Sequence, residues 1–147
     1  MHSWPRALLR GDAYTQLGMA DSARTQYDEA IAYLRGRIEQ TPDDERLWGA
    51  LGLAYAGAGR KDDAMRAGRR ATELLPVERE AWRGAHRMHE LAKTYARVGE
   101  HERALDLLER LMSMPVGLVL SRAHLRADAS WDPIREDPRF RGLAAGS

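Results

Sequence analysis

Three small constellations in this 147-residue sequence carry residue types that could do chemistry. His86-Arg87-Met88-His89-Glu90 sets two imidazoles three positions apart, from which a metal could draw two ligands. A zinc-protease helix needs its histidines four apart with the glutamate between them, and a third ligand such as His101 would have to come from elsewhere. These read as surface histidines. Gly57-Ala58-Gly59-Arg60-Lys61-Asp62 has the glycines and lysine of a phosphate loop without its preceding strand or remaining glycine spacing, so it reads as a helix end. Arg66, Arg69 and Arg70, with Lys61 nearby, could meet phosphates. Asp62, Asp63 and Glu73 are interleaved with them and no aromatic stacks alongside, so a solvated helix face is expected and no nucleic acid. No Gly-x-Ser-x-Gly and no Ser/His/Asp set is present. The chain is expected not to be an enzyme, with no catalytic residue, cofactor or metal.

Composition narrows the partners. Lys plus Arg total 23 and Asp plus Glu 22, a net charge of +1, which argues against a bulk polyanion. There is no cysteine, so disulfides, thiolate metal sites and a cysteine nucleophile are excluded. No apolar run approaches the roughly 18 residues that span a bilayer, and no N-terminal stretch reads as a signal peptide. A cytoplasmic protein with no membrane partner is expected. Only Lys61 and Lys93 are lysines, and asparagine is absent.

The elements that must position these side chains announce themselves by repetition. Tyr14, Gly18 and Ala23 recur as Tyr55, Gly59 and Ala64, then as Tyr95, Gly99 and Ala104. The aromatic, the Gly four on and the Ala five beyond keep their spacing, while the sets stand 41 and 40 positions apart. Each Gly follows an apolar-periodic stretch, as a left-handed helix terminator does. A second helix then begins with carboxylates near its positive end, and its early Ala lets the two helices approach closely. Helices are expected at about 4–17, 21–40, 44–57, 61–74, 78–98 and 101–112. A break follows at Met114-Pro115-Val116-Gly117, and then one more helix over Leu118 to Arg126. Asp132-Pro133 and Asp137-Pro138 each read as an N-cap followed by proline at the first helical position.

The middle segment reads Trp48-x2-Leu51-Gly52-x2-Tyr55, then Gly59, Ala64, Ala71 and Pro76. It resembles the tetratricopeptide repeat, a helix-turn-helix unit of 34 residues. Gly68 stands where that family has an aromatic. The resemblance implies an all-α, right-handed α-solenoid of three hairpins, about 4–42, 44–77 and 78–113, within a repeat region 1–113. A capping tail, 114–147, would cover the open apolar end with Trp131, Ile134, Phe140 and Leu143. Seven extra residues lengthen the second helix of the first hairpin, and six the first helix of the third. Tyr27-Asp28-Glu29-Ala30, Leu51 to Gly57 and Trp131 to Phe140 resemble the C-terminal repeat region of bacterial multidomain signalling proteins. Those carry a Ser/Thr kinase, a nucleotide cyclase or a DNA-binding or TolB-like regulator. The chain would then be the regulatory part of a longer protein, with Trp4, Leu8 and Leu9 exposed.

In this repeat family the first helix of each hairpin lines a concave groove. With Trp48, Leu51, Gly52 and Tyr55 facing inward, the groove stripe of the second hairpin is Arg46, Gly49, Leu53 and Ala56. Its equivalents include Asp12 in the first hairpin, with Gln16 beside it. In the third they are His86, His89 and Lys93, with Arg97 beside them. Asp12, Gln16, Arg46, His86, His89, Lys93 and Arg97 are therefore the candidate partner-binding residues. The basic end suits an acidic peptide or a carboxyl terminus. Family members that clamp a carboxylate use asparagines, so that clamp is incomplete here. The expected function is a protein-interaction scaffold. The alternative is a homodimer formed through the exposed face of the first repeat.

Overall fold

The computed structural model describes residues 5–114 and 121–145. The chain runs α1 (Arg6–Gln16), α2 (Ala20–Gln40), α3 (Glu45–Gly57), α4 (Lys61–Leu74), α5 (Ala81–Arg97), α6 (His101–Ser113) and α7 (Arg122–Ala127). A 3₁₀ helix (Ala129–Ile134) and α8 (Pro138–Ala145) follow. No strand occurs among the described residues. Helices α1 and α2, α3 and α4, and α5 and α6 pair as hairpins, and the inner helices α1, α3 and α5 pack in series. The result is an all-α solenoid of the tetratricopeptide type.

The recurring Tyr, Gly and Ala are the three parts of one turn. Gly18, Gly59 and Gly99 sit at φ 74°, 78° and 89°, and no other residue among those described has positive φ. The residue after each Gly donates its amide to the carbonyl of the Tyr, at 2.9 Å in all three turns (Met19 to Tyr14, Arg60 to Tyr55, Glu100 to Tyr95). Each Gly amide bonds to the carbonyl three residues before it. These paired bonds satisfy carbonyls that a helix end otherwise leaves orphaned. The amides of Ala23, Ala64 and Ala104 then make the first bond of the following helix, and all three side chains are buried.

Two clusters of buried side chains result. One spans α1 to α4, with Leu8, Tyr27, Leu34, Leu47 and Leu53 at its centre. The other joins α5 and α6 to the tail through Leu105, Leu108, Leu125, Trp131 and Phe140. Trp131 and Phe140 are completely enclosed, so the tail closes the end of the solenoid. Arg139 ties α8 to α6 by reaching Glu102, Asp106 and Glu109 at 2.8, 2.7 and 2.9 Å.

Several expectations need correction. Leu8 is not exposed: it is fully buried in the first cluster, while Leu9 does face solvent. Helix α5 begins at Ala81 instead of 78, because the Pro76 carbonyl takes the amides of Arg79 and Glu80 in a turn and Glu80 caps Trp82 and Arg83. It gains four residues over α3 where six were expected, whereas α2 gains the full seven over α4. Ser121 caps α7, which starts at Arg122, and the expected start at Leu118 lies outside the described residues. Asp132 caps nothing. Asp128 caps the 3₁₀ helix and Pro133 lies inside it, whereas Asp137 and Pro138 do open α8. Trp4 and the break at Pro115–Gly117 lie outside the described residues.

Candidate functional site

The inner helices bring the groove positions of the first and third hairpins face to face. Tyr27 Oη, buried between α1 and α3, donates to Asp12 Oδ1 at 2.5 Å. Arg97 Nη1 donates to the same Asp12 oxygen at 3.1 Å and to Tyr27 Oη at 3.2 Å. Thr15 Oγ1 lies 3.1 Å from the same hydroxyl. The ring reaches this position because Gly11 and Gly57 flank it. A Cβ on Gly11 would stand 2.7 Å from Tyr27 Cε1, and one on Gly57 would run into Cζ. Burial pushes the Tyr27 hydroxyl up to about 12 against the opposing pull of Arg97, so it stays a proton donor at neutral pH.

Lys93, one turn before Arg97, meets a carboxylate from the tail. Its Nζ lies 2.9 Å from Asp128 Oδ2, and Asp128 Oδ1 takes the Ser130 amide at 2.9 Å. Burial alone would raise the Asp128 carboxyl. The Ser130 amide and the Lys93 ammonium outweigh it and hold it down at about 2. His89, a further turn back, packs on Trp131 with ring centroids 5.8 Å apart. Burial, then the charge of Lys93, lowers its imidazole to about 3, so it is neutral. His86 packs edge-on against Trp82 at 5.0 Å, and burial and Arg87 lower its pKa too.

Asp12, Gln16, Lys93 and Arg97 thus surround one cavity of about 570 Å³, which the tail completes with Asp128, Ser130 and Pro133. His86 and His89 open instead on a second cavity of about 410 Å³ shared with His124 and Ala127. Arg46 joins neither: it is exposed and paired with Asp44 at 2.9 Å. Of the rest of the expected stripe in the second hairpin, Leu53 borders a cavity, a small one of about 40 Å³ with Asp12, Lys93, Arg97 and Ser130. Gly49, Leu53 and Ala56 are buried, and the Glu90 carboxylate fills the space where a Gly49 side chain would stand. The basic end is also not a free row of cations, because Lys93 and Arg97 each hold a carboxylate. Sequence reasoning missed Asp128, Ser130 and the Tyr27 hydroxyl. Asp128-Ala129-Ser130 carries a capping signal, but nothing local points it at Lys93.

The other constellations are engaged in ordinary structure. Arg66 pairs with Asp63, Arg70 with Glu73 and Lys61 with Glu100, while Arg69 donates to Tyr95 Oη. No group of three His, Cys, Asp or Glu among the described residues could hold a metal ion.

Comparison with known families fits this architecture. Residues 7–89, more than half of the chain, match the bacterial transcriptional activator domain. The chain belongs to that family. Residues 88–118 match a tetratricopeptide repeat, so helical repeats continue beyond the activator-domain match into the third hairpin. The family match covers Asp12, Gln16, Arg46, His86 and His89, and the repeat match carries Lys93 and Arg97. Among curated relatives, the peroxisomal targeting signal receptor of Eremothecium gossypii is 29% identical over 70% of this chain and 17% of its own. Superkiller protein 3 of Schizosaccharomyces pombe is 29% identical over 69% of this chain and 7% of its own. The receptor of Candida glabrata is 28% identical over 67% and 16%. The chain spans less than a fifth of the length of these relatives. No helix among the described residues is long and apolar enough to cross a membrane.

Proposed function

We propose that this bacterial transcriptional activator domain is a protein-interaction scaffold and the regulatory C-terminal part of a larger cytoplasmic regulator. Among the kinase, cyclase and transcription-regulator contexts, the match of residues 7–89 favours the last and is the observation that carries the reading. The relatives support the scaffold half: two bear the name of a targeting signal receptor. We assign the hairpins of 1–113 to the binding array and 114–147 to its cap, with no catalytic step, cofactor, nucleic acid or membrane contact in either.

The binding site in this reading is the cavity between α1 and α5. Asp12, Gln16, Lys93 and Arg97 stand on a rigid frame, which lowers the ordering cost of taking up an extended segment. The guest is an acidic peptide segment that engages Lys93. His86, His89 and Arg46 contribute less, since His89 is committed to Trp131 and Arg46 stands apart. Titrating acidic and neutral peptides into the wild type and Lys93→Gln tests this. Preference for the acidic peptide that is lost in the variant is expected, and equal affinities throughout end the reading.

One observation favours a second reading, self-association through the first repeat. Of the five large apolar side chains exposed among the described residues, Leu9, Leu17, Met19 and Tyr33 lie there. Sedimentation velocity across a wide concentration range should then show a dimer that Leu17→Ser with Tyr33→Ser abolishes.

A further inference from the structure

The tail does more than close the apolar end. It carries an acidic side chain across to the inner helices and sets it on Lys93, one of the two cations that line the cavity. Lys93 Nζ and Asp128 Oδ2 are 2.9 Å apart, and the Ser130 amide fixes the other Asp128 oxygen. On its far side this wall is firmly held. Trp131 is fully enclosed against His89, and Arg135 donates to the Leu125, Arg126 and Asp128 carbonyls at 3.3, 3.0 and 2.8 Å. The backbone of the tail is therefore a fixed wall, while the Asp128 side chain at its edge is about a third exposed. Asp132, on the same wall, pairs with Arg135 at 3.0 Å and leaves Lys93 alone.

We infer that Asp128 is a built-in competitor: its carboxylate holds Lys93 in the place an acidic partner segment takes, and such a segment binds by displacing that one side chain while the tail backbone stays docked. This rests on the scaffold reading above and deepens it. An ion pair that is partly open to water is weak enough to exchange, whereas lifting Trp131 would uncover the core. The arrangement sets a threshold: a neutral or weakly acidic segment does not free Lys93, and one with several carboxylates does.

The test uses the full chain and a fluorescein-labelled peptide of six glutamates, with a neutral Gly-Ser peptide as control. Asp128→Asn keeps an acceptor for the Ser130 amide and releases Lys93. It should tighten the acidic peptide by roughly three- to five-fold, the size of a partly exposed ion pair. Asp132→Asn removes the same charge from the same cavity lining without releasing Lys93, and should tighten the peptide distinctly less. Lys93→Gln should abolish the preference for the acidic peptide. In a variant with Trp4, Trp48 and Trp82 replaced by Phe, the fluorescence of Trp131 should not move on binding. Equal tightening by Asp128→Asn and Asp132→Asn would reduce the effect to bulk charge and overturn the competitor. So would binding that is the same in the wild type and Asp128→Asn, which leaves the cavity reading standing. Binding by none of the proteins overturns both.

Discussion

Asp12 and Arg97 stand 85 positions apart in sequence and 3.1 Å apart in space, joined through Oδ1 and Nη1. They link α1 to α5 directly, past the α3 helix that separates them in the stack. Both side chains are partly exposed, at 33% and 27%, so solvent screens the pair. A double-mutant cycle of Asp12→Ala and Arg97→Ala in urea unfolding should give a coupling of about 0.5–1 kcal/mol that shrinks in high salt. Zero coupling at low salt would mean the first and third hairpins merely lie near one another.

Tyr27 predicts the sharpest steric effect. Its ring occupies the space over Gly57, so Gly57→Ala should cost about 1–3 kcal/mol as overpacking. Gly142→Ala in α8 is the control, because an added Cβ there meets nothing within 4 Å. It should be neutral or stabilise by up to about 1 kcal/mol through helix propensity. Urea midpoints that shift equally for the two would contradict the wedge.

Trp131→Ala should destabilise by about 3–5 kcal/mol, the usual cost of emptying a large aromatic site. The loss should show as a lower melting temperature and a weaker near-ultraviolet dichroism signal. A surface role for Trp131, as an anchor for a partner, would leave the melting temperature in place.

Acid should weaken the fold through His89. In the folded protein its imidazole stays neutral down to about 3, while in the unfolded chain it takes up a proton near 6.5. Between those values the unfolded state binds more protons, so stability falls as pH drops, by at most about 1.4 kcal/mol per pH unit. His89→Gln should flatten that part of the profile. Asp128 acts lower down: its depressed carboxyl contributes stability above roughly pH 4 that is lost as pH falls toward 2. Urea unfolding at stepped pH separates the two.

What the sequence disclosed depended on range. The turns were legible because Tyr14, Gly18 and Ala23, and their two sets of equivalents, act within ten residues of each other through backbone bonds. Helix lengths followed from the same register, apart from the start of α5, where the Pro76 turn intervenes. The repeat spacing placed Asp12, Gln16, Lys93 and Arg97 on the first helix of their hairpins, and the resemblance to the tetratricopeptide repeat implied that those helices are the inner ones. That Lys93 would meet Asp128 and Arg97 would meet Asp12 could not, since each pairing depends on how far the stack curves and where the tail returns. Leu8 illustrates the same gap: its burial depends on packing against the neighbouring hairpins.

Closure by Trp131 and Phe140 gives the array a direction. A further hairpin spliced after α6 would find its docking face already filled and would have to evict two fully enclosed aromatic rings. At the α1 edge, Leu9 and Leu17 face solvent among the described residues. Lengthening this array by repeat duplication after α6 therefore requires the tail to move outward with the new end.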